Sequence, residues 1–204
     1  LTATLDETGG ADVTVEETLR GWPALEWREA LDRINEDRIR AEFEQRTLGF
    51  YFPGGSLDEL TWSARDDDEA PFVVRYRFHT PRFARAEGRE LVVPAPFPAL
   101  LGKRYIGVAD RTTALQLLYA APTTLDVDVR LPKGAKATLP SEVTIRTGSL
   151  DYQQKSSIEG DVLHVRGFFA MPPVRVPAGE YAKLREVAER VDQAESRAAT
   201  IKLP

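Results

Sequence analysis

Residues 72–79 read FVVRYRFH, and apolar side chains recur there at every second position, at Phe72, Val74, Tyr76 and Phe78. Successive side chains of a β-strand point to opposite faces, so this period is typical of a strand with one face in a core and the other in water. We therefore predict a strand in this segment that buries the four apolar side chains. Arg75 and Arg77 should face water, because a one-residue slip in register would expose the whole apolar set.

The same two-residue period marks further strands along most of the chain. Alternating residues on either side of a Gly9-Gly10 turn predict an N-terminal hairpin, with Ala3 and Leu5 on the first strand and Val13, Val15 and Leu19 on the second. Elsewhere the alternation predicts strands near residues 60–64, 91–93, 115–119, 125–131, 143–145, 152–158 and 162–169. The stretch 81–110 is rich in Pro and Gly and indicates a long, irregular connection around the 91–93 strand.

A period close to 3.6 residues predicts helices in three places. The first two form a pair, with apolar stripes at Trp27, Ala30, Leu31 and Ile34, and then at Ile39, Phe43 and Phe50. The third lies near the C-terminus, with its stripe at Tyr181, Leu184, Ala188 and Val191. We expect this last helix to pack on a sheet built from the strands around Val143, Tyr152 and Leu163.

Together these patterns predict an α+β, β-dominated fold. It should contain antiparallel sheets arranged like a sandwich, an inserted helical pair and a C-terminal helix. A seam near Ala121-Pro122 would separate an α+β half, residues 1–121, from a β-sheet half with the C-terminal helix, residues 122–204. One continuous domain over residues 1–204 is the alternative, since a chain of this length suits either arrangement.

Composition excludes several classes of function. A net charge of −5 argues against a nucleic-acid or anionic-membrane surface, which needs clustered Lys and Arg. No apolar run approaches the roughly 20 residues that cross a bilayer, so we expect no direct membrane insertion. The chain has no cysteine, which excludes disulfides, thiolate nucleophiles and cysteine-based zinc sites. Because the first residue is Leu1, we expect either a removed signal peptide or a domain of a longer chain.

The residue types that carry chemistry do not form recognisable motifs. His79 and His164 lie inside strand patterns, and no G-x-S-x-G elbow or zinc-ligand spacing accompanies them. The acidic run 66–69 lacks the order of a calcium loop and indicates a solvated turn. Gly54-Gly55 is not followed by the residues of a phosphate loop. We therefore predict no catalytic, cofactor-binding or metal-binding residue in this chain.

The three tryptophans could stack on a sugar, but their positions favour a different role. Trp27 and Trp62 fall on apolar faces, which favours core packing, whereas Trp22 lies outside those faces. Paired carboxylates for glycoside hydrolysis cannot be identified among 32 acidic residues. A hydrolase with its own carboxylate site therefore stays open, and a deep pocket with two close, buried acids would favour it.

Several turns and strand ends resemble one known family. The matching segments are LPKG at 131–134, LP at 139–140, GD at 160–161, PAGEY at 177–181, IKL at 201–203 and, earlier, RGWPALEWREAL at 20–31. In this order they resemble the C-terminal domain of bacterial transglutaminase-like proteins. The family's layout is a β-rich domain, a papain-like core and a tail domain of this kind. Its catalytic Cys, His and Asp belong to the core, so the resemblance transfers no catalytic residue to this chain.

The resemblance implies a non-catalytic accessory domain that positions a transglutaminase-like core or a partner. Its partners would be other domains of the parent chain and, further, a protein or glycan ligand. The alternative is a cell-surface module that binds glycan or peptide, which an exposed aromatic row would favour. Many proteins of the family look exported, so the expected location is extracytoplasmic, in the periplasm or at the cell surface.

Overall fold

The computed structural model describes residues 1–64, 66, 67, 69–117, 120–148 and 150–204. Its strands are β1 Thr2–Leu5, β2 Ala11–Leu19, β3 Ser56–Trp62, β4 Phe72–Thr80, β5 Arg85–Glu87, β6 Glu90–Val93, β7 Leu115–Leu117, β8 Ala120–Arg130, β9 Lys136–Thr138, β10 Val143–Thr147, β11 Leu150–Glu159, β12 Val162–Met171, β13 Val174–Val176 and β14 Ala199–Lys202. Its α-helices are α1 Trp22–Arg33, α2 Glu36–Glu42, α3 Gly49–Tyr51, α4 Leu101–Tyr105 and α5 Tyr181–Glu195. Tyr119 and Asp68, which belonged to a predicted strand face and to the acidic run, lie outside the described residues.

The α+β, β-dominated fold predicted from the sequence is confirmed. In the described part of the chain, one sheet has eight strands in the order β10-β11-β12-β8-β1-β2-β4-β3. A second has four strands in the order β5-β6-β14-β9, and β7 pairs with β13. Neighbouring strands are antiparallel, with one parallel pair between β1 and β8. We call these the large sheet and the small sheet.

The segment FVVRYRFH forms β4, as predicted. Its inward side chains are almost completely buried, at 0% exposure for Phe72, Val74 and Phe78 and 1% for Tyr76. The outward arginines pair with acids on the neighbouring strands: Arg75 Nε lies 2.6 Å from Glu16 Oε2, and Arg77 lies within 4 Å of two carboxylates of β3. Strict alternation therefore fixes both the register of β4 and the inner face of the large sheet.

The largest hydrophobic core lies between the large sheet and the layer that covers it. Val129 and Leu163 of the large sheet share this core with Leu91 and Ile201 of the small sheet. The segment from α1 to α3 adds to the same cover, where Phe43 packs edge-to-face on Tyr76 with ring centroids 4.8 Å apart. The strand predicted at 91–93 is thus real, as β6, and belongs to this covering layer.

The helical pair is present, but the prediction that Phe50 continues its apolar stripe is wrong. Phe50 is 48% exposed, whereas Leu48 is 1% exposed and takes the buried place. Residues Phe43–Leu48 form a π-helical turn, which carries about one more residue per turn than an α-helix. This extra residue shifts the phase of the stripe, so the side chain five residues after Phe43 turns inward.

Helix α5 buries the stripe that the sequence predicts. Ala188 and Val191 pack with Ile145 of β10 and Tyr152 of β11, as expected. Leu163, however, does not lie under α5, because it belongs to the core beneath the small sheet. The inner face of β12 is covered by different layers along its length, and Leu163 sits at the end that α5 does not reach.

Strands from both predicted halves share the large sheet. The proposed boundary at 121/122 falls inside β8, and β8 pairs with β1 from the other end of the chain. The division into residues 1–121 and 122–204 stays a prediction.

Helix α5 also provides a test of its contribution to stability. Leu184 is 7% exposed and packs with Leu117, Met171 and Val176. Truncating a buried leucine leaves a cavity, so we expect Leu184→Ala to lower the free energy of unfolding by about 2–5 kcal/mol. Urea titration measures the change, and Lys183→Ala, on the exposed side of the helix, is the control. Equal losses in both variants would contradict this packing.

Candidate functional site

A cleft of about 270 Å³ opens on the inner face of the large sheet. It lies between the core under the small sheet and the cluster under α5, because its lining includes Leu125 and Val165 from the first and Tyr152 and Phe169 from the second. Residues 95–99 form the opposite wall. The cleft is therefore the gap that remains where two separate layers cover one continuous sheet.

Gly167 makes room for the cleft in the middle of β12. It pairs with Leu125 of β8 and with Gln154 of β11, and by alternation its side-chain position points inward like those of Val165 and Phe169. A Cβ atom there would meet Leu125 Cβ at 3.4 Å and the Gln153 carbonyl oxygen at 3.9 Å, which are ordinary contacts. The glycine is thus not required by crowding, and it leaves space in an inward row that is otherwise filled.

The opposite wall is a proline-rich loop with a strained backbone. In the sequence PAPFPAL, residues 94–100, two non-glycine residues adopt left-handed conformations: Phe97 at φ 53° and Leu100 at φ 51°. Such conformations cost of order 1–3 kcal/mol each and persist only where surrounding contacts impose them. For Phe97, those contacts include edge-to-face packing on Tyr51 and Phe52, at centroid distances of 5.0 and 5.4 Å.

Two carboxylates near the end of α5 hold this loop. Both oxygens of Glu195 accept the Ala99 N–H at 2.9 Å, and Asp192 accepts the N–H groups of Leu101 and Gly102 at 2.8 and 2.9 Å. These amides open the short helix α4 and would otherwise have no intrahelical acceptor. The two acids therefore fix the loop that walls the cleft.

Burial raises the pKa of the Glu195 carboxyl group. Loss of water raises the pKa of its carboxyl group above the ordinary 4.5, and the charge of Asp192 adds to the rise, while the amides of Ala99 and Leu100 oppose it. Burial likewise raises the pKa of the Tyr152 hydroxyl, and the neighbouring charge of Glu195 reinforces this effect. Both acids of α5 are engaged by backbone amides, an arrangement that holds a loop and does not resemble an acid–base pair.

Polar groups border the cleft and can meet a ligand. The Tyr152 hydroxyl donates to Gln154 Oε1 at 2.6 Å, and Arg104 donates to the Tyr51 hydroxyl at 3.0 Å. The side-chain amide of Gln154, on the inner face beside Gly167, can both donate and accept, so it matches the N–H and C=O groups of a peptide. With the apolar walls, this composition suits an uncharged side chain with peptide groups beside it.

The two histidines lie away from the cleft, on the outer face of the large sheet. His79 Nδ1 is 3.0 Å from Asp12 Oδ1, and His164 Nδ1 is 2.8 Å from Asp128 Oδ1. The hydrogen bond from His164 is the main cause that lowers the pKa of Asp128. Each histidine lies directly opposite an acid on the neighbouring strand, His79 opposite Asp12 and His164 opposite Asp128.

One row of the outer face contains the residue types of a serine hydrolase. Ser157, His164 and Asp128 lie opposite one another on β11, β12 and β8. The Nε2 atom of His164 faces Glu159 Oε2 at 3.8 Å, and Ser157 is exposed on the open sheet. A hydrolase also needs donors aimed at an oxyanion. We assign no catalytic role to this row.

The other residues singled out in the sequence have structural environments. Trp27 packs on Phe72 with ring centroids 6.2 Å apart, Trp62 is half-buried against the main core, and Trp22 is 67% exposed. Asp67 accepts the N–H groups of Glu69 and Ala70, and Arg28 donates to the carbonyls of Asp67 and Ala70. Gly54 has φ 85° in the turn before β3.

The described residues hold no group of three or more His, Cys, Asp or Glu side chains placed to ligate a metal ion. None of the described helices combines the length and apolar character that crossing a bilayer requires.

No protein-family model, no curated protein and no solved structure matches the chain. The resemblance to transglutaminase-like proteins therefore stays a prediction.

The cleft was not predicted from the sequence. Its residues come from β8, β11, β12, the helices α3, α4 and α5, and the loop, which are far apart in the chain. Two local signals were present: a glycine inside the strongly alternating segment 162–169, and three prolines within five residues at 94–98. Neither signal shows that the two features face each other.

Glu195 generates a prediction about pH. Because its folded-state pKa is raised, the native state binds more protons than the unfolded state between the ordinary pKa of 4.5 and the raised value. Stability from this group therefore falls as pH rises through that window. We expect wild type to lose stability relative to Glu195→Gln from pH 4 upward, with a constant difference above the raised pKa. Urea unfolding at several pH values measures it.

The matched control is Glu186→Gln, on the exposed side of the same helix. Its difference from wild type should show little pH dependence. A Glu195→Gln difference that is flat with pH, or that changes in the opposite direction, would contradict the burial of this carboxyl group.

Proposed function

We propose that this chain is a non-catalytic accessory domain of a transglutaminase-like protein, and that it positions the catalytic core or a partner by holding a polypeptide segment in the cleft. The observation that carries this proposal is the cleft itself, with an apolar floor around Gly167 and the bordering side-chain amide of Gln154. These groups suit binding, and no histidine is among the described residues that line the cleft.

The size and polarity of the cleft favour a peptide over a charged small molecule. A volume near 270 Å³ accommodates one or two side chains. The charged groups at the cleft already have partners, since Glu195 holds the loop amides and Arg104 donates to Tyr51. What remains for a ligand is apolar surface and uncharged hydrogen-bonding groups, and a peptide strand supplies both counterparts.

The absence of cysteine supports an accessory role within this family. A papain-like core uses a cysteine thiolate as its nucleophile, and this chain contains none. Its partners would then be the other domains of the parent chain. By the same resemblance, the protein acts outside the cytoplasm, in the periplasm or at the cell surface.

A glycan-binding role is the second candidate, favoured by two exposed aromatic side chains. Trp22 is 67% exposed and Phe50 is 48% exposed, with the Lys103 ammonium 5.1 Å from the Phe50 ring centroid. Exposed aromatic rings can stack on sugars. Titration with soluble peptidoglycan fragments separates the two roles: a glycan module should bind them, and Trp22→Ala or Phe50→Ala should weaken that binding.

The accessory role predicts that filling the cleft weakens binding without unfolding the protein. Gly167→Val adds a side chain where the nearest contacts are ordinary, and valine suits a strand, so we expect stability within about 1 kcal/mol of wild type. Affinity for the transglutaminase-like core encoded in the same reading frame should fall at least about tenfold, as measured by isothermal titration calorimetry.

Ser157→Val is the matched control, because it places the same side chain on the outer face of the large sheet. It should leave affinity for the core unchanged. If wild type does not bind the core, or if Gly167→Val binds as tightly as wild type, the proposal is wrong.

A further inference from the structure

The large sheet has a gap where β1 is shorter than both of its neighbours. β1 pairs with Ala11–Thr14 of β2 on one side and with Asp128–Arg130 of β8 on the other. β2 continues to Leu19, and β8 begins at Ala120, so both extend well past Leu1 in the same direction. Two strands thus run on side by side with no described strand between them.

The backbone of Leu1 already follows the pattern of a longer strand. Its nitrogen donates to the Asp126 carbonyl at 2.7 Å, and its carbonyl accepts the Asp128 N–H at 2.9 Å. These are the two bonds that one residue makes in a parallel ladder. Burial lowers the pKa of the Leu1 amino group, so this position disfavours a charged nitrogen and suits a neutral peptide N–H.

The ladder geometry shows which groups face the gap. In a strand, the N–H and C=O of one residue point to the same neighbour, and successive residues alternate between neighbours. Since Asp126 and Asp128 bond Leu1, the N–H of Asp126 and both groups of Thr124 also point toward the β1 side. On β2, the Thr2–Thr14 pairing places the groups of Glu16 and Thr18 on that side.

Strand β8 separates the inner side of the gap from Gly167. Extending the register of β1 by two residues reaches a position between Glu17 on β2 and Leu125 on β8. Leu125 lines the cleft and lies beside Gly167. The hydroxyl of Tyr76 donates to Glu17 Oε1 at 2.6 Å, which holds that carboxylate in place. A side chain at this position would lie beside Leu125, at the edge of the cleft.

We propose that the gap receives a further stretch of strand in direct continuation of β1, formed by the residues that precede Leu1 in the parent protein. This inference rests on the proposed function, since it takes the chain as one domain of a longer protein. The added strand runs parallel to β8 and antiparallel to β2, and its backbone bonds Thr124 and Asp126 on one side and Glu16 and Thr18 on the other.

The neighbouring residues of β2 and β8 determine which residue types can occupy the two positions before Leu1. The second residue before Leu1 faces inward, so it should be apolar and able to donate its N–H to the Thr124 carbonyl, which excludes proline. The first residue before Leu1 faces outward between Glu16 and Asp126, each of which already pairs with an arginine at 2.6 and 2.8 Å. A threonine or another polar residue suits that position.

Hydrogen exchange on extended chains tests this inference. One variant carries Val-Thr-Val-Thr immediately before Leu1, which places both valines inward. The control carries Val-Thr-Pro-Thr, which removes the N–H that must donate to Thr124. We expect the N–H groups of Glu16, Thr18, Thr124 and Asp126 to exchange at least about tenfold more slowly in the first variant than in the control, as measured by NMR.

Equal exchange in the two variants would overturn the inference. Slower exchange that depends on protein concentration would also overturn it, because the added residues would then enter a second molecule. The experiment needs no catalytic core, so its result is separate from the calorimetric test. If the amides are protected but the core does not bind, the added strand is supported and the accessory role is refuted. If the core binds but the amides are not protected, the accessory role is supported and the added strand is refuted.

Discussion

The parallel ladder between β1 and β8 is the contact on which the large sheet depends. β1 joins β2, β4 and β3 on one side to β8, β12, β11 and β10 on the other. In the described residues its register with β8 covers Thr2 to Thr4, and Leu1 adds bonds to Asp126 and Asp128. Without this short ladder, the eight strands would separate into two smaller sheets. The first few residues of the chain therefore tie together segments more than 100 positions apart.

A continuous sheet with two separate covers explains why the cleft exists. The small sheet and the segment α1 to α3 pack on one part of the inner face, and α5 packs on another. Closing the remaining gap would require a side chain at Gly167, which the sequence does not provide. The strained loop opposite Gly167 is held by hydrogen bonds that backbone N–H groups donate to Asp192 and Glu195. Such charge-assisted bonds are stronger than neutral ones and offset part of the strain.

The outer face of the large sheet has a different physical character. Its acids and bases form cross-strand pairs in water, such as Arg75 with Glu16 and Arg166 with Asp126. Exposed pairs of this kind contribute at most about 1 kcal/mol each. They align neighbouring strands, and the histidines on this face take part in the same pairing. The inner cleft, with its buried carboxyl group and open space, is the better candidate for recognition.

The sequence by itself determined the local periods, and with them most elements. Alternation in 72–79 identified β4 and its inner face, and the stripe of Tyr181, Leu184, Ala188 and Val191 identified α5, because both periods follow from backbone geometry alone. The π-helical turn was not predictable, since one extra residue in a turn changes the phase without changing the composition. Only the tertiary structure decided that Leu163 packs under the small sheet and that Gly167 faces the proline-rich loop. Those contacts join residues far apart in the chain, and a sequence period carries no information about which layer covers which part of a sheet.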